Sequence, residues 1–466
     1  MSQLSLEHHR PGAVAPVIDE EFVARFDQRI PRYTSYPTAP QFAAEIGADT
    51  YAGWLEALPA DVPLSVYLHV PFCAELCLYC GCHTTVARHY EPIASYVDLI
   101  DRELAVVVGH LGSRRQLAHL HWGGGTPTAL RPQDLVGLTE RLVSRFDVIG
   151  TAEIAVEIDP RRVSLEHVHA LAAMGTTRVS LGIQDFDPKV QQAVRRIQSF
   201  DQTARVVTWL RDAGITALNF DLMYGLPYQN PDSMARSARL AVSLDPERIA
   251  LFGYAHVPWM KRHQALLPAD ALPDARGRLE QMRAAAEIIV ASGYVAVGLD
   301  HFAKPGDPLA RRRATGELRR NFQGYTTDAA SALIGLGTSA IGMLPEGYVQ
   351  NAALTVAYRE AITAGRLATV RGVRLSDDDR LRRAIIERLM CDLAVDLDRV
   401  AAEHGASPER FRVELERIDM LSKHGLVWRE QGRIVVPEAA RPFLRSICAV
   451  FDRYLERAPA RYSRAL

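Results

Sequence analysis

Residues 73–82 have the sequence CAELCLYCGC, which places Cys73, Cys77 and Cys80 at spacings of three and two intervening residues. Thiolates are soft ligands that suit zinc or an iron-sulfur cluster better than calcium or magnesium. Structural zinc usually takes two separated pairs of ligands, and no second Cys or His pair follows at the expected distance. A three-cysteine loop of this spacing favours a 4Fe-4S cubane whose fourth iron stays open to a small molecule. Zinc and a disulfide are the alternatives.

Outward from this loop, short apolar runs alternate with amphipathic helical patterns. The runs occupy residues 64–70, 117–122, 153–158, 178–183, 217–225 and 248–254. Such alternation predicts an α/β fold in which βαβ units build a parallel sheet. If the sheet closes toward a barrel, functional side chains should follow the carboxyl ends of its strands.

Polar and glycine residues do follow the ends of these runs. The second run leads into HWGGGTPT (121–128), and three successive glycines cost too much backbone entropy to be filler. Glu157, Gln184 and Asp221 stand at the ends of later runs. Each taken alone has a structural alternative as a satisfied buried polar group, but together they predict a site.

The C-terminal region begins near LSDDDR (375–380) and predicts two helices, a hairpin over 425–436 with Gln431 and Gly432 at its turn, and a final long helix. This order is that of a winged helix, which raises the possibility of DNA binding. Residues 376–466 contain 17 Lys and Arg against 16 Asp and Glu, whereas a DNA-binding module usually has a basic face. We therefore expect this region to cover or pack against the site.

Length and composition set the remaining bounds. A chain of 466 residues exceeds one typical core, and we divide it into an arm (1–50), a barrel (51–345), a linker (346–375) and a C-terminal helical domain (376–466). The net charge of −1 argues against nucleic-acid or membrane-surface partners. The absence of a long apolar run or a secretory pattern predicts a cytoplasmic protein, and the lack of an apolar heptad favours a monomer. Cys391 and Cys448 lie in apolar runs and are expected in the core.

The cysteine loop, with Tyr79 before its third cysteine, resembles the signature of the radical S-adenosylmethionine (radical SAM) superfamily. The Cys-Gly-Cys ending at Cys82 is similar to that of the oxygen-independent coproporphyrinogen III oxidases, also called coproporphyrinogen III dehydrogenases. Further stretches carry the same resemblance, namely PRYTSYPTAP (31–40), HFAKPGD (301–307), NFQGYTT (321–327) and GVRLSDDDR (372–380). The resemblance implies a partial (β/α)6 radical SAM barrel with an N-terminal arm and a smaller, mainly helical, winged-helix-like C-terminal domain.

The resemblance also implies the ligands of each cofactor. Cys73, Cys77 and Cys80 would hold one 4Fe-4S cluster, with Cys82 as a neighbour and not a ligand. The residues implied for a first S-adenosylmethionine are Tyr67, Gly124, Glu157 and Ile341. Those implied for a second molecule are Tyr79, Gly125, Thr126, Gln184, Arg196, Asp221 and Ala255. At Arg195, many relatives are expected to carry asparagine.

The implied reaction is the anaerobic oxidative decarboxylation of two propionates of coproporphyrinogen III to vinyl groups, through a 5'-deoxyadenosyl radical, in haem biosynthesis. A low-potential donor such as flavodoxin or ferredoxin would supply electrons. The substrate carries four carboxylates, so Arg32, Lys304 and Arg320 are candidate ligands. The runner-up is a radical-SAM-like haem chaperone, which shares the loop and glycine run but typically has phenylalanine where this chain has Cys82. It would bind haem without turning over coproporphyrinogen.

Overall fold

The computed structural model of the protein describes residues 19–455 and 462–465. Its strands are β1 (Leu64–Val70), β2 (Phe72–Cys73), β3 (Thr85–Val86), β4 (Gln116–Gly124), β5 (Asp147–Ile158), β6 (Arg178–Gln184), β7 (Ala217–Tyr224), β8 (Arg248–Gly253), β9 (Val295–Val297), β10 (His301–Ala303), β11 (Arg319–Asn321), β12 (Gly324–Thr326), β13 (Ala332–Leu336), β14 (Ile341–Leu344), β15 (Gly347–Asn351), β16 (Thr369–Arg374), β17 (Ala394–Asp396), β18 (Trp428–Glu430) and β19 (Arg433–Val435).

The α-helices surround these strands in an order that alternates with them through the first half of the chain. They are α1 (Glu20–Phe26), α2 (Ala48–Ala57), α3 (Glu91–Leu111), α4 (Pro132–Val143), α5 (Leu165–Ala173), α6 (Pro188–Ala193), α7 (Phe200–Asp212), α8 (Pro231–Ser243), α9 (Ala275–Ala291), α10 (Pro308–Ala314), α11 (Thr355–Thr363), α12 (Asp377–Asp392), α13 (Leu397–Glu403), α14 (Arg412–Lys423) and α15 (Leu444–Cys448). None of the described helices is both long enough and apolar enough to cross a membrane.

Twelve of the described strands form one sheet, in the order β16-β15-β14-β13-β1-β4-β5-β6-β7-β8-β10-β9. The strands from β13 through β1 and β4 to β8 are parallel neighbours, and antiparallel strands extend both edges. Each of the six apolar runs named above forms one strand from β1 and β4–β8. The predicted α/β fold is confirmed.

The sheet is rolled around an interior cavity. Side chains from seven neighbouring strands line that cavity: Ser65, His121, Glu157, Ser180, Asp221, Phe252 and His301. Strands lie about 4.8 Å apart, so seven of them in a flat sheet would spread over about 29 Å and could not share a cavity of side-chain dimensions. Curvature therefore brings the carboxyl ends of the parallel strands together.

Alternation along the strands separates the apolar core from this polar interior. In β1, Leu64, Val66, Leu68 and Val70 are at most 1% exposed and belong to the main apolar core, which also contains buried faces of α3, α4, α5 and α7–α9. Ser65 lies between them in sequence and faces the cavity, because successive strand residues point to opposite sides. The helices thus pack outside the rolled sheet.

The C-terminal region contains the predicted hairpin, β18 and β19, but three helices, α12, α13 and α14, precede it where two were predicted. Ser376 caps α12 through a capping box, and β17, β19 and β18 form a small sheet with Gln431 in a left-handed turn at φ 51°. The final segment differs from the predicted long helix. Residues 438–443 form a 3-10 helix and α15 spans five residues, because Pro442 lacks the N–H that a longer α-helix requires there.

The arm and the segment 346–375 are more closely integrated than arms and linkers usually are. Phe22, Phe26 and Tyr36 pack into the apolar core of the C-terminal region, whereas the first 18 residues lie outside the described part of the chain. Residues 346–375 contain α11 and two strands of the large sheet, β15 and β16. Cys391 and Cys448 are fully buried, as expected. The domain boundaries themselves stay a prediction.

Candidate functional site

The cysteine loop lies between β2 and β3 and is fixed by hydrogen bonds to two distant segments of the chain. The Leu78 amide donates to the Val194 carbonyl at 2.9 Å, next to α6. From the segment after β8, Gln264 donates to the Tyr79 carbonyl at 3.0 Å, and His263 Nε2 lies 2.8 Å from the Cys80 carbonyl oxygen. The loop conformation is thus held by residues more than 100 positions away in sequence.

The four thiols of the loop differ in environment. Cys77 is buried, Cys73 and Cys80 are half-buried, and Cys82 is exposed. A hydrogen bond from the Cys82 thiol lowers the pKa of Cys80 to about 6, whereas burial raises the pKa of Cys73 to about 12. Cys80 and Cys77 also contribute to the raised pKa of Cys73, which indicates that the three sulfurs face one region.

Two arginines and a carboxylate support the buried Cys77 sulfur. Arg161 Nη2 lies 3.5 Å from Cys77 Sγ, and Arg196 Nη1 lies 3.7 Å from it. Both guanidinium groups are ion-paired with Asp159, at 2.7 and 3.2 Å. Both guanidinium groups thus present N–H donors to the sulfur, and such donors can hydrogen-bond a thiolate ligand.

Glu157, at the end of β5, is linked to Tyr67 through a histidine. Its Oε1 lies 2.9 Å from His121 Nε2, and the His121 ring lies 5.8 Å from the Tyr67 ring. The Tyr67 hydroxyl contacts His69 Nδ1 at 3.0 Å, and burial lowers the pKa of His69 to about 4. The carboxylate therefore lines the cavity beside two aromatic rings, His121 and Tyr67.

The glycine run at the end of β4 packs closely against neighbouring segments of the chain. The amides of Gly125 and Thr126 donate to the carbonyls of Val70 and Phe72 at 2.8 and 2.9 Å. A Cβ on Gly125 would lie 2.6 Å from the Phe72 oxygen. The small residue is therefore required for chain-to-chain contact beside Cys73, in addition to any approach by a ligand.

Gly124 and its preceding neighbour lie against Glu157. The Gly124 amide donates to Glu157 Oε2 at 3.3 Å, and its φ of 116° is a conformation that favours glycine. A Cβ on Gly123 would lie 2.8 Å from Glu157 Oε1. The run therefore brings the backbone next to the carboxylate.

Gln184 is the last residue of β6, Arg196 lies in the turn after α6, and Asp221 lies within β7. Gln184 is in a left-handed conformation, and both its amide and the Arg196 guanidinium lie near Gly182. Asp221 accepts hydrogen bonds from Ser180 at 3.0 Å and Asn219 at 2.9 Å and lines the cavity with Glu157. Burial, together with the Glu157 charge, raises the pKa of Asp221 to about 7.

Tyr79 and Ala255 lie beside the buried thiol. Tyr79 packs in a small apolar cluster with Cys77 and Tyr254, and Ala255 directly follows Tyr254. The Tyr254 amide donates to the Tyr224 carbonyl at 2.8 Å, so the chain stays paired with β7 beyond the end of β8.

Ile341 is placed by a buried carboxylate in α3. Glu103 accepts hydrogen bonds from the Gly337 amide at 2.6 Å and from Tyr358 at 2.7 Å, which fixes the turn between β13 and β14. The Ile341 carbonyl then lies against Gly335, the residue paired with Tyr67 across β1 and β13. Burial raises the pKa of Glu103 to about 7.

The three candidate carboxylate ligands have different positions. Arg32 Nη2 donates to the Gly253 carbonyl at 2.7 Å, at the carboxyl end of β8. Arg320 stacks on Tyr325 at 4.4 Å, and its buried Nη1 has no hydrogen-bond partner in the described part of the chain. Lys304 is paired with Asp245 at 2.8 Å near the start of β8, so this candidate lies at the opposite end of the strand.

Sequence reasoning missed several of these groups. Asp159 and Arg161 follow Glu157 directly, and the sequence IDPRR after a strand end was an available signal. His121 stands within the glycine-run motif itself. Lys261, which donates to the Cys82 carbonyl at 2.7 Å, and His263 come from a loop whose return to the cysteines depends on the tertiary fold.

Two family models match the chain. Residues 67–241 match the radical SAM superfamily, and residues 375–443 match the HemN C-terminal domain. The first match covers the cysteine loop, the glycine run, Glu157, Arg196 and Asp221. Radical SAM membership implies a 4Fe-4S cluster and S-adenosylmethionine.

The residues present fit such a cluster. Three thiols face one region, and the buried sulfur already has two guanidinium donors. Within residues 19–455 and 462–465, no three Cys, His or carboxylate groups have the spacing of a single-ion site. A cluster places each thiolate on a different iron, so its thiolates can lie further apart than those around one ion.

Relatives and solved structures extend the match to most of the chain. An oxygen-independent coproporphyrinogen III oxidase of Bradyrhizobium diazoefficiens is 48% identical over 94% of this chain and 98% of its own length. The enzyme of that name from Paracoccus denitrificans is 43% identical over 93% and 96%. The coproporphyrinogen III oxidase (HemN) of Escherichia coli, described as a radical SAM enzyme, has 35% identity and a TM-score of 0.87 over 92% of this chain and all of its own. The chain therefore belongs to the oxygen-independent coproporphyrinogen III oxidase family.

Proposed function

We propose that this protein converts coproporphyrinogen III to protoporphyrinogen IX without oxygen. Each of two propionates becomes a vinyl group, losing CO2 and one hydrogen atom to a 5'-deoxyadenosyl radical and passing one electron to a one-electron acceptor. One observation carries the proposal: Val70 and Phe72, directly before the cysteine loop, are hydrogen-bonded to the segment Gly125–Thr126, and the neighbouring Gly124 contacts Glu157. We further propose that the protein acts in the cytoplasm as a monomer, without nucleic acid or membrane. An electron donor such as flavodoxin or ferredoxin would reduce it.

We assign Cys73, Cys77 and Cys80 to the 4Fe-4S cluster. The first S-adenosylmethionine would be held by Tyr67, Gly124, Glu157 and Ile341, and a second by Tyr79, Gly125, Thr126, Gln184, Arg196, Asp221 and Ala255. A bound, reduced cluster together with bound S-adenosylmethionine would supply a 5'-deoxyadenosyl radical able to abstract hydrogen from an unactivated C–H bond.

The protein side chains bind the first cofactor, and the fold around them excludes bulk water. Glu157 offers a carboxylate to the ammonium group of the first cofactor, because within residues 19–455 and 462–465 its one charged or ring partner is His121. Burial raises the pKa of Tyr67 well above its ordinary value, so its hydroxyl stays neutral and can donate a hydrogen bond. A rolled sheet covered by helices keeps bulk water from reactive carbon radicals.

Two arginines are the proposed cations for the propionate groups. Arg32 donates to the carbonyl of Gly253, the last residue of β8. Gly253 stands two residues before Ala255, one of the proposed cofactor contacts. Arg320 donates to the Tyr33 carbonyl at 3.2 Å and has a free Nη1. These two arginines are the proposed substrate ligands, and Lys304 is removed from the set because acidic partners hold it at the other end of the strand.

An anaerobic assay tests the proposal. Reconstituted protein receives S-adenosylmethionine, dithionite and coproporphyrinogen III, and products are read by mass spectrometry. We expect loss of two CO2 together with 5'-deoxyadenosine. Intact cluster with unchanged substrate would contradict the proposal, and tight haem binding by that same preparation would identify a haem chaperone instead.

The cluster assignment has its own test in paired cysteine variants. Cys77→Ser should remove nearly all iron, because the buried sulfur between Arg161 and Arg196 is a ligand. Cys82→Ser should keep most of the iron, because that thiol is exposed and acts as a neighbour of Cys80. Iron and sulfide content after reconstitution gives the answer, and equal loss in both variants would make Cys82 a ligand.

A further inference from the structure

A shallow depression on the protein surface lies beside the buried sulfur of Cys77. Its lining includes Glu75, Arg161, Arg162, Gln192, Arg195 and Ile197, which we call the cluster-side patch. Arg161 forms the floor, since its Nη2 lies 3.5 Å from Cys77 Sγ while the same side chain reaches the depression. The patch is therefore separated from a proposed cluster ligand by a single side chain.

The patch is also joined to the cysteine loop through the backbone. The Val194 carbonyl accepts from the Leu78 amide at 2.9 Å, and Arg195 and Ile197 follow within three residues. Arg196, between them, points inward to Cys77 while its two neighbours are exposed. A redox partner seated here would be close to the proposed cluster. This position favours electron transfer, because the transfer rate falls steeply with distance.

The surface chemistry of the patch combines an apolar centre with cations. Ile197 is 64% exposed, and Arg162 and Arg195 are exposed beside it. Glu75 is the acidic member of the lining, and it is paired with Arg162 at 2.7 Å. Lys189 lies one helical turn from Gln192 on α6 and extends the positive surface. This local charge contrasts with the net charge of −1 for the whole chain.

We propose that the cluster-side patch is the docking surface for a small, acidic, one-electron carrier protein. The inference rests on the proposed function, because it requires a cluster at the three cysteines. In the step, one electron leaves the carrier, which is oxidised, and enters the cluster, which is reduced; no bond is formed or broken. The carrier's acidic groups would face Arg162, Arg195 and Lys189, and an apolar surface around its redox group would cover Ile197.

The dimensions and charge of the patch suit a transient encounter. Electron-transfer complexes are commonly small, burying less than about 1,200 Å² in total. Opposite charges at the rim of such an interface mainly accelerate association and make it depend on salt. A carrier must also leave after each electron, and a small rim-charged interface permits rapid release.

Charge reversal tests the proposal in the holoenzyme. The variants are Arg195→Glu and the double variant Arg162→Glu/Arg195→Glu, and Arg412→Glu on α14 of the C-terminal region is the matched control with an exposed arginine. Reduced flavodoxin serves as the acidic carrier, and stopped-flow absorbance follows cluster reduction. Titration with oxidised flavodoxin measures the dissociation constant, and dithionite replaces flavodoxin in parallel runs.

We expect at least tenfold slower reduction by flavodoxin and at least tenfold weaker binding in the double variant at low salt, with dithionite reduction and iron content unchanged. The reduction rate of the double variant should also depend less on salt concentration than that of the wild type. Arg412→Glu should match the wild type. Flavodoxin rates and binding equal to wild type in the double variant would overturn the proposal.

A second pair of variants covers the case in which charge reversal disturbs the cluster. Arg195→Gln and Ile197→Ser should each slow flavodoxin reduction about threefold with full iron content, and no effect in either variant would overturn the docking site. The proposed function is judged separately. Dithionite-driven loss of two CO2 supports it whatever the flavodoxin result, and failure with dithionite in the wild type counts against the function alone.

Discussion

The two ends of the barrel interior both contain carboxylates, but only one end pairs them with arginines. Near the start of the strands, Glu153 lies 3.1 Å from Arg178, and Arg248 lies 2.8 Å from Asp307. Arg178 and Asp307 are 3.6 Å apart, which joins the two pairs into one network. Every charge in this network has a partner of opposite sign.

Near the carboxyl ends of the strands, the same cavity has unmatched carboxylates. No arginine or lysine of the described chain lies within 4 Å of Glu157 or Asp221. Burial works against ionisation of Glu153, but Arg178 and Arg248 outweigh it and lower its pKa, whereas the pKa of Asp221 is raised to about 7. The matched end stabilises the fold, and the unmatched end retains charge that a cationic ligand can satisfy.

Glu157→Gln gives the largest expected effect and tests the unmatched end. The amide keeps the shape of the side chain and removes the charge offered to the cofactor ammonium group. We expect 5'-deoxyadenosine formation to fall about 1,000-fold, equivalent to about 4 kcal/mol. The thermal unfolding midpoint should move by less than about 2 °C. Glu166→Gln, at an exposed position in α5, is the control; near-normal turnover in Glu157→Gln would end the assignment.

Glu153→Gln is the matching change four residues earlier in the same strand. It leaves Arg178 and Arg248 to share Asp307, and breaking a buried ion pair by removing one partner costs about 3 kcal/mol. We expect this loss of stability in denaturant unfolding at pH 7, with 5'-deoxyadenosine formation per folded molecule largely retained. If the variant were stable but inactive, the two ends would not differ in the way described.

The sequence predicted the strands that carry this comparison but not the partners within it. The apolar runs predicted β1 and β4–β8, because short runs rich in β-branched and apolar residues between turn residues are typical of β-strands. Glu157 and Asp221 followed from their positions at strand ends and from the family resemblance.

The matched network and the support for the cysteines could not be predicted in the same way. Asp307 and Arg248 are paired although they lie 59 positions apart in the sequence, and Arg161 and Cys77 lie 84 positions apart. Such pairings depend on how the sheet curves. The predicted linker became part of the sheet because β15 and β16 complete an antiparallel edge. The prediction of a long final helix was wrong, because a 3-10 helix forms around Pro442 and α15 begins only after it. The sequence did contain this signal.

Arg32→Ala extends the comparison from carboxylates to arginines. Arg178 and Arg248 are held by carboxylates, whereas Arg32 contacts the Gly253 carbonyl at the carboxyl end of β8. Loss of one charge-assisted hydrogen bond, about 1.5 kcal/mol, should raise the KM for coproporphyrinogen III about tenfold and leave kcat within about twofold. Cluster content should not change. Lys304→Ala, at the other end of β8, is the control, and an equal rise in KM there would point to a general charge effect.

Asp221→Asn gives the smallest effect and a sign opposite to that of Glu153→Gln. The folded-state pKa of Asp221, about 7, lies above the ordinary aspartate value of 3.8, so the unfolded chain releases this proton at lower pH than the folded chain. The resulting penalty on the folded state is absent below about pH 4, grows up to about pH 7 and is constant above it.

Removing the titrating group should therefore stabilise the protein. We expect Asp221→Asn to gain about 1 kcal/mol over wild type at pH 8 and clearly less at pH 5, because Asn can still hydrogen-bond Ser180 and Asn219 without a buried charge. Thermal unfolding of both proteins without S-adenosylmethionine, from pH 5 to 8.5, provides the measurement. A variant less stable than wild type at pH 8 would mean that Asp221 is already paired in the fold, and the contrast between the two ends of the cavity would then rest on Glu157 alone.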